Sequence, residues 1–444
     1  MRSPQMPAQR SIYATSSRVD WRRHDAAKAL SRDNLFVFIA LLAFIILEVT
    51  APRIGARRIN IPLAAGILAC TVPFLLGGIQ ASKLGIGTLL AVFAWFGYFS
   101  WCLVSFYWSV GASDTILHGA FLMCLLPIAV AASRIDPAIT MKWLLRMVAV
   151  VCVLSWIALI VSPSLAVQNK GIWRLKGVME HEFRLGYLCA TAIIVMAISR
   201  LRGGSRAGGL RFWPLLMLFV VTLIATQTRT LLAYTVTSVL LIVSLQTRGY
   251  VRILAILGVA FLILGAVGFA DTIEAIFSRG ESDASLSGRT YIWDKTMELA
   301  VHRPWAGYGF ASFLNPHFDY IWNDYRPPHA HSMWVNSYFE TGLIGSVLLG
   351  LAFFITFICS VRSAQVSRGV YAYSAYILFF VGLSGLTGLV LGGKLTTLYG
   401  ISLILFFQEA YRVRVGRQTR HRKADLFSAS KARQQEPVGV TVTR

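Results

Sequence analysis

Charge is scarce in this chain, and acid is scarcer than base. Lys and Arg number 42 against 20 Asp and Glu, charged residues make up 14% of 444 positions, and mean hydropathy is +0.62. That excludes an ordinary soluble domain of this size, whose surface would need far more charge. Cysteine is just as sparse. All six (Cys70, Cys102, Cys124, Cys152, Cys189, Cys359) fall inside apolar runs without a CxxC pair, which argues against a disulfide framework and a thiolate metal site. The first 34 residues lack a short apolar core with a small-residue cleavage site, so they do not read as a removed signal peptide. No DxD stretch, duplicated half or matched pair of broken helices is evident.

What the chain does have is long apolar runs. About twelve segments are long enough to cross roughly 30 Å of hydrocarbon as helices. They are 35–51, 61–79, 85–107, 115–132, 144–162, 185–199, 212–227, 230–246, 251–270, 335–361, 371–392 and 395–408. Their near-continuous apolarity lacks the alternation of barrel strands, so the expected fold is an all-α, polytopic membrane protein. Three parts follow: a basic N-terminal tail 1–34, a transmembrane domain 35–408 with a long loop 271–332, and a basic C-terminal tail 409–444.

A formal charge of +22 raises the question of a nucleic-acid partner, but its placement follows the positive-inside rule instead. Both tails and the loops near Arg134, Lys142, Arg200–Arg211, Arg248, Arg252 and Arg362–Arg368 carry it, which predicts both termini in the cytoplasm. Arg53, Arg57 and Arg58 break the pattern by falling on the predicted external side. The tails read as attracted to anionic membrane lipids, with no nucleic-acid partner.

On this topology the external face holds Pro163–Arg184, the turn at Thr228–Thr230 and the 271–332 loop. The loop contains four of the eight histidines: His302, His317, His329 and His331. A surface helix is expected over 289–302, with Ile292, Thr296 and Leu299 as its buried stripe and Pro304 as its stop. The GYGF at Gly307–Phe310 reads as a turn, since neither a preceding strand nor a following Lys-Ser/Thr supports a phosphate loop. His331 falls beside a helix N-terminus, where anions are favoured.

Three readings of the HxH pair His329/His331 stay open: interfacial residues, metal ligands with Asp319, Asp324 or Glu340, or an acid–base group. For the last, cationic partners suited to phosphate would be Arg184, Arg229 and Arg289, each of which is otherwise a plain interfacial anchor. Trp293, Trp305, Trp322 and Trp334 are available to stack on sugar rings. Glu48, His118, Arg146 and Lys394 are the mid-span candidates that a transporter would use.

The strings TQTRTLLAYTVTSVLLIVSL, SGRTYIWDKTMELAVHRPWAGYGFASF and HAHSMWVNSYFETGLIGSVLLG, in that order, resemble the signature of the O-antigen ligase and polysaccharide polymerase family over roughly residues 175–350. GVMEHEFRLGYL resembles a stretch of exopolysaccharide polymerases usually written His-Lys-Asn, of which His181 and the later Leu-Gly agree. The resemblance implies a GT-C-like glycosyltransferase of the bacterial inner membrane. Its implied partners are an undecaprenyl-pyrophosphate-linked glycan donor, a glycan acceptor and a chain-length regulator.

It further implies that His331 is the base, that Arg184 and Arg289 hold the pyrophosphate with Arg229 and His329 nearby, and that neither metal nor cofactor is used. One departure is Ser332, where relatives often carry Asn. Polymerase is the leading expectation, with transfer to lipid A core and flipping of a lipid-linked oligosaccharide as alternatives.

Overall fold

The structure, a computed structural model, describes residues 32–48, 85–170, 172–203, 212–268, 286–322, 327, 329–367, 372–388, 391, 393 and 396–435. In chain order the helices are α1 (Arg32–Glu48), α2 (Ile86–Val104), α3 (Ala112–Ala132), α4 (Pro137–Val161), α5 (Glu182–Gly203), α6 (Phe212–Ala225), α7 (Arg229–Gln246), α8 (Tyr250–Gly268), α9 (Leu286–Ala300), α10 (Met333–Val366), α11 (Tyr373–Thr387) and α12 (Thr397–Gln435). Eleven of the twelve expected spans coincide with these helices, and 61–79 lies outside the described residues, as do Arg53, Arg57, Arg58, Asp324 and Lys394. Six helices are long and apolar enough to cross a membrane, and four shorter apolar ones accompany them.

Two helices form the middle of the bundle. Along α5 from Leu185 to Ile198, and along α12 from Leu398 to Gln408, nearly every side chain is buried, as befits helices that are apolar all round. Around them α2, α4 and α8 turn Leu90, Phe93, Phe96, Val150, Leu154, Ile157, Ile253, Leu254 and Leu257 outward. So broad an exposed apolar belt suits hydrocarbon and would be insoluble in water. The chain is a polytopic, all-α membrane protein.

Three expectations need correcting. Residues 163–184 were expected to be plain loop, yet Val167–Lys170 (β1) and Ile172–Leu175 (β2) pair as an antiparallel hairpin, Val167 opposite Leu175. The tail expected from 409 begins inside α12, which runs on to Gln435. The span expected over 335–361 is broken: Gly342 has φ +68°, so α10 consists of a short arm 333–341 and a long helix 343–366. His331 therefore precedes the short arm rather than the spanning helix itself.

The break at Gly342 costs no hydrogen bonds, because the turn after α9 is exchanged into it. The N–H groups of Leu343 and Ile344, which in a continuous helix would donate to residues 339 and 340, donate instead to Pro304 O (2.7 Å) and Trp305 O (3.2 Å). The freed carbonyls of Phe339 and Glu340 accept from Tyr308 N (3.0 Å) and Gly309 N (2.8 Å). Four backbone groups freed by the break are thus paired within the protein. A Cβ on Gly307 would sit 2.5 Å from the Glu340 backbone, and one on Gly342 would sit 2.3 Å from that of Trp305, so this exchange needs glycine on both sides. The PWAGYGF and ETGLIG strings are two halves of one joint.

Candidate active site

One end of the bundle gathers the C-termini of α1 and α11, the N-termini of α5, α7 and α12, the hairpin, α9 and the 329–332 loop. Several contacts draw them together. Glu180 N donates to Glu48 O (3.1 Å), and Glu48 Oε1 accepts from Thr397 N (2.8 Å), so the buried Glu48 carboxylate joins the end of α1 to the start of α12. A carboxylate at a helix N-terminus is favoured by the helix dipole. Tyr234 of α7 shares a 2.9 Å hydrogen bond with Thr387 of α11. A Cβ on Gly186 would sit 2.6 Å from the end of the Leu231 side chain and 3.1 Å from Thr228 Oγ1, so the 226–228 turn packs closely on α5. Glu48, a candidate under the transporter alternative, is an inter-helix cap, and Arg146 of that set is exposed over the Trp143 ring.

The first turn of α5 is dense in charge. Buried Glu182 lies 3.4 Å from Arg174 of β2 and 3.1 Å from His181 Nδ1. Arg184 reaches Glu48 at 3.5 Å and Glu180 at 3.4 Å. Both acids of the Glu180/Glu182 pair are therefore engaged with cations.

α9 begins three residues before the expected start, with Ile292, Thr296 and Leu299 buried as the spacing predicts. It packs on α10, and Arg289 in its first turn is partly buried. Among the described residues no carboxylate lies within ion-pair distance of the Arg289 guanidinium. Burial pushes it below its usual range, against the opposing pull of Tyr234 and Tyr187. A guanidinium remains charged under such pressure, so Arg289 is a desolvated cation flanked by phenols.

The histidine loop completes the site. His331 N donates to His329 Nδ1 (3.0 Å), the two rings stand 4.4 Å apart, and His331 has φ +51°, a left-handed conformation that few side chains adopt. Burial, and then the positive charges of His331, His181, Arg184 and Arg289, hold His329 well below the usual imidazole range. All four act on one ring, so the structure brings together Arg184, Arg289, His329 and His331 from the expected set. It adds His181, Tyr187 and Tyr234, which sequence reasoning did not place in the site. Only the HEFRLGY and TQTRTLLAY strings hinted at them. Arg229 opens α7 on the same face, beside the Thr226–Thr228 turn.

Other candidates lie elsewhere. Glu340 is buried and accepts from Phe313 N (3.2 Å), and Asp319 belongs to a 3₁₀ turn over 316–321. Among the described residues, no three of His, Cys, Asp and Glu come together as metal ligands. Of the four tryptophans, Trp322 is buried against Phe313, Trp334 stacks on Phe354, and Trp293 donates into the histidine loop. Trp305, 65% exposed, is the one of the four with a largely open ring.

Chemically, the cluster is suited to a polyanion, such as a pyrophosphate, next to a neutral imidazole that can take a proton. Residues 214–350 match the family described as O-antigen ligase. The chain is also 30% identical over 108 residues to the exopolysaccharide production protein ExoQ of Rhizobium meliloti (strain 1021). That alignment takes in 22% of this chain and 24% of the relative, so the chain spans about a quarter of the length of the curated relative it matches. Arg184 and His181 lie before the family match, Arg229, Arg289, His329 and His331 within it.

Proposed function

From the match of residues 214–350 to the family described as O-antigen ligase and the chemistry of the site, we propose that the chain is an inverting, metal-independent glycosyltransferase. It joins undecaprenyl-pyrophosphate-linked oligosaccharide units into a surface polysaccharide or exopolysaccharide, at the periplasmic face of the inner membrane. Arg289 carries the reading. A half-buried guanidinium with no carboxylate in ion-pair range among the described residues, beside Tyr187 and Tyr234, is costly to keep unless an anionic ligand occupies the site.

In the reaction, the pyrophosphate of the donor lies against Arg289 and Arg184, with Arg229 adding positive charge and the neutral His329 a hydrogen-bond donor. The acceptor hydroxyl gives its proton to His331 as its oxygen forms a bond to the anomeric carbon. The bond from that carbon to the pyrophosphate oxygen breaks, and the electron pair leaves with the lipid pyrophosphate. Attack opposite the leaving group inverts the anomeric centre. The two guanidiniums neutralise the charge that builds on the leaving group, the task a metal ion performs in other transferases.

The similarity to an exopolysaccharide production protein favours polymerisation. The family's description favours a second reading, transfer of a finished glycan to lipid A core. Purified protein incubated with lipid-pyrophosphate-linked oligosaccharide is expected to release carrier pyrophosphate and lengthen the glycan. Movement of intact donor across the bilayer without carrier release would instead make it a flippase. Arg289→Ala and His331→Ala are each expected to lower kcat/KM by at least about 10²-fold, with Arg289→Lys clearly milder than Arg289→Ala. Equal and mild effects of the two Arg289 variants would reduce Arg289 to an interfacial anchor, and normal turnover in His331→Ala would remove it as the base.

A further inference from the structure

Ala330, between the two histidines, is completely buried, and both polar groups of its backbone are held by side chains from outside the loop. Its carbonyl accepts from Trp293 Nε1 at 2.8 Å, and its N–H donates to Asn336 Oδ1 at 3.3 Å. Trp293 lies one turn along α9 from Arg289, on the same face. Asn336 lies one turn into the short arm of α10. Held between the two, the chain makes its turn at the next residue, where His331 takes φ +51° and closes its N–H onto His329 Nδ1.

We infer that Trp293 and Asn336 are positioning residues that hold His331 in its left-handed conformation, so that α9 couples the alignment of the base to the helix that carries Arg289. The inference rests on the reading of His331 as base and Arg289 as holder of the pyrophosphate.

A left-handed non-glycine residue is strained and persists only where its surroundings over-determine it. Two hydrogen bonds, one on each of the peptide units that flank Ala330, supply that constraint. Without them the loop is free to return residue 331 to a right-handed or extended conformation, which swings the imidazole away from the reacting hydroxyl. Asn336 is 1% exposed, and its Nδ2 has no hydrogen-bond partner among the described residues. A buried amide so placed is unfavourable unless the bond made by its oxygen is needed. Trp293 is only half-buried, but its N–H is engaged, which separates it from a ring kept simply to stack on sugar.

The test is steady-state turnover of lipid-pyrophosphate-linked oligosaccharide by the full chain in proteoliposomes. Trp293→Phe keeps most of the ring and removes the donor, and Asn336→Leu keeps the volume and removes the acceptor. Each is expected to lower kcat on the order of 10- to 100-fold, the scale of a displacement of about 1 Å in a reacting group. Donor KM is expected to stay within about threefold of wild type. Because both act by holding the same residue, Ala330, the double variant is expected to be no worse than the poorer single one. Unchanged kcat in either single variant, losses confined to KM, or losses that multiply in the double variant would each overturn the inference.

Binding of inorganic pyrophosphate to the monodisperse fraction, expected at wild-type affinity in all three variants, keeps the result decisive where one of them folds poorly. Weakened binding there would assign Trp293 and Asn336 to the anion site and overturn the clamp. A wild-type chain that binds pyrophosphate but releases no carrier would instead overturn the glycosyltransferase reading on which the clamp rests.

Discussion

A histidine set among two arginines and two further histidines is a poor base for the solvent and a good one for a bound anion's neighbour. Surrounding positive charge disfavours the imidazolium, and burial does the same, which is why His329 is held well below the usual range. The consequence for stability has a definite sign. His329 is neutral in the folded protein, whereas in the unfolded chain it takes up a proton near pH 6.5. Its contribution is therefore complete above about pH 6.5 and is lost as pH falls through that value toward the lower native one. Thermal unfolding in detergent between pH 7.5 and 5.5 is expected to show the wild type losing stability on acidification and His329→Gln losing less. Parallel curves for the two would mean that His329 is not held neutral by its neighbours.

Among the elements, the joint between the post-α9 turn and the broken α10 does most to place the site, because it fixes the short arm that follows His331. Gly342→Ala puts a Cβ at φ +68° and 2.3 Å from the Trp305 backbone, where only main chain is available to move. A loss of at least about 3 kcal/mol is expected, read as a fall in melting temperature with loss of turnover. Gly416, in α12 with nothing within 4 Å of a built Cβ, is the control, and Gly416→Ala is expected to stabilise by up to about 1 kcal/mol. A Gly342→Ala chain as stable as the control would show that the exchange of hydrogen bonds does not hold the joint. This joint also marks the limit of what the sequence reveals. Apolar length alone located the spans, and the stripe Ile292, Thr296, Leu299 located α9. The break at Gly342 was not legible, because a glycine inside an apolar run is common in spanning helices and the backbone freed there is satisfied by a turn some 35 residues earlier. The hairpin 167–175 was missed for the opposite reason: two strands of four residues carry too little pattern to read.

At the scale of the molecule the question is which end faces which compartment, and the distribution of cations gives the answer to be tested. Arg134, Lys142, Arg200, Arg248, Arg252, Arg362, Arg412 and Arg414 lie at the end away from Arg289 and His331. That end also holds the start of α1 and the basic stretch of α12. Cations occur on the site face too: Arg174, Arg184 and Lys295 there pair with Glu182, Glu48, Glu180 and Glu298, while Arg289, among the described residues, does not. Lys and Arg near the ends of the spans are what resist translocation, and the opposite end, which also carries the basic stretch of α12, is the one expected in the cytoplasm. The individual arginines of that face were legible in the sequence as residue types. Their convergence was not, since the contacts that bring α5, α9 and the histidine loop to one end, Trp293 to Ala330 among them, join residues far apart in sequence. In a background without the native cysteines, Trp305→Cys on the site face is expected to react with a membrane-impermeant maleimide in intact spheroplasts. Arg248→Cys, exposed in the turn between α7 and α8, is expected to react only after the membrane is opened. The reverse pattern would put the site in the cytoplasm, where a donor carried on the outer leaflet could not reach Arg289.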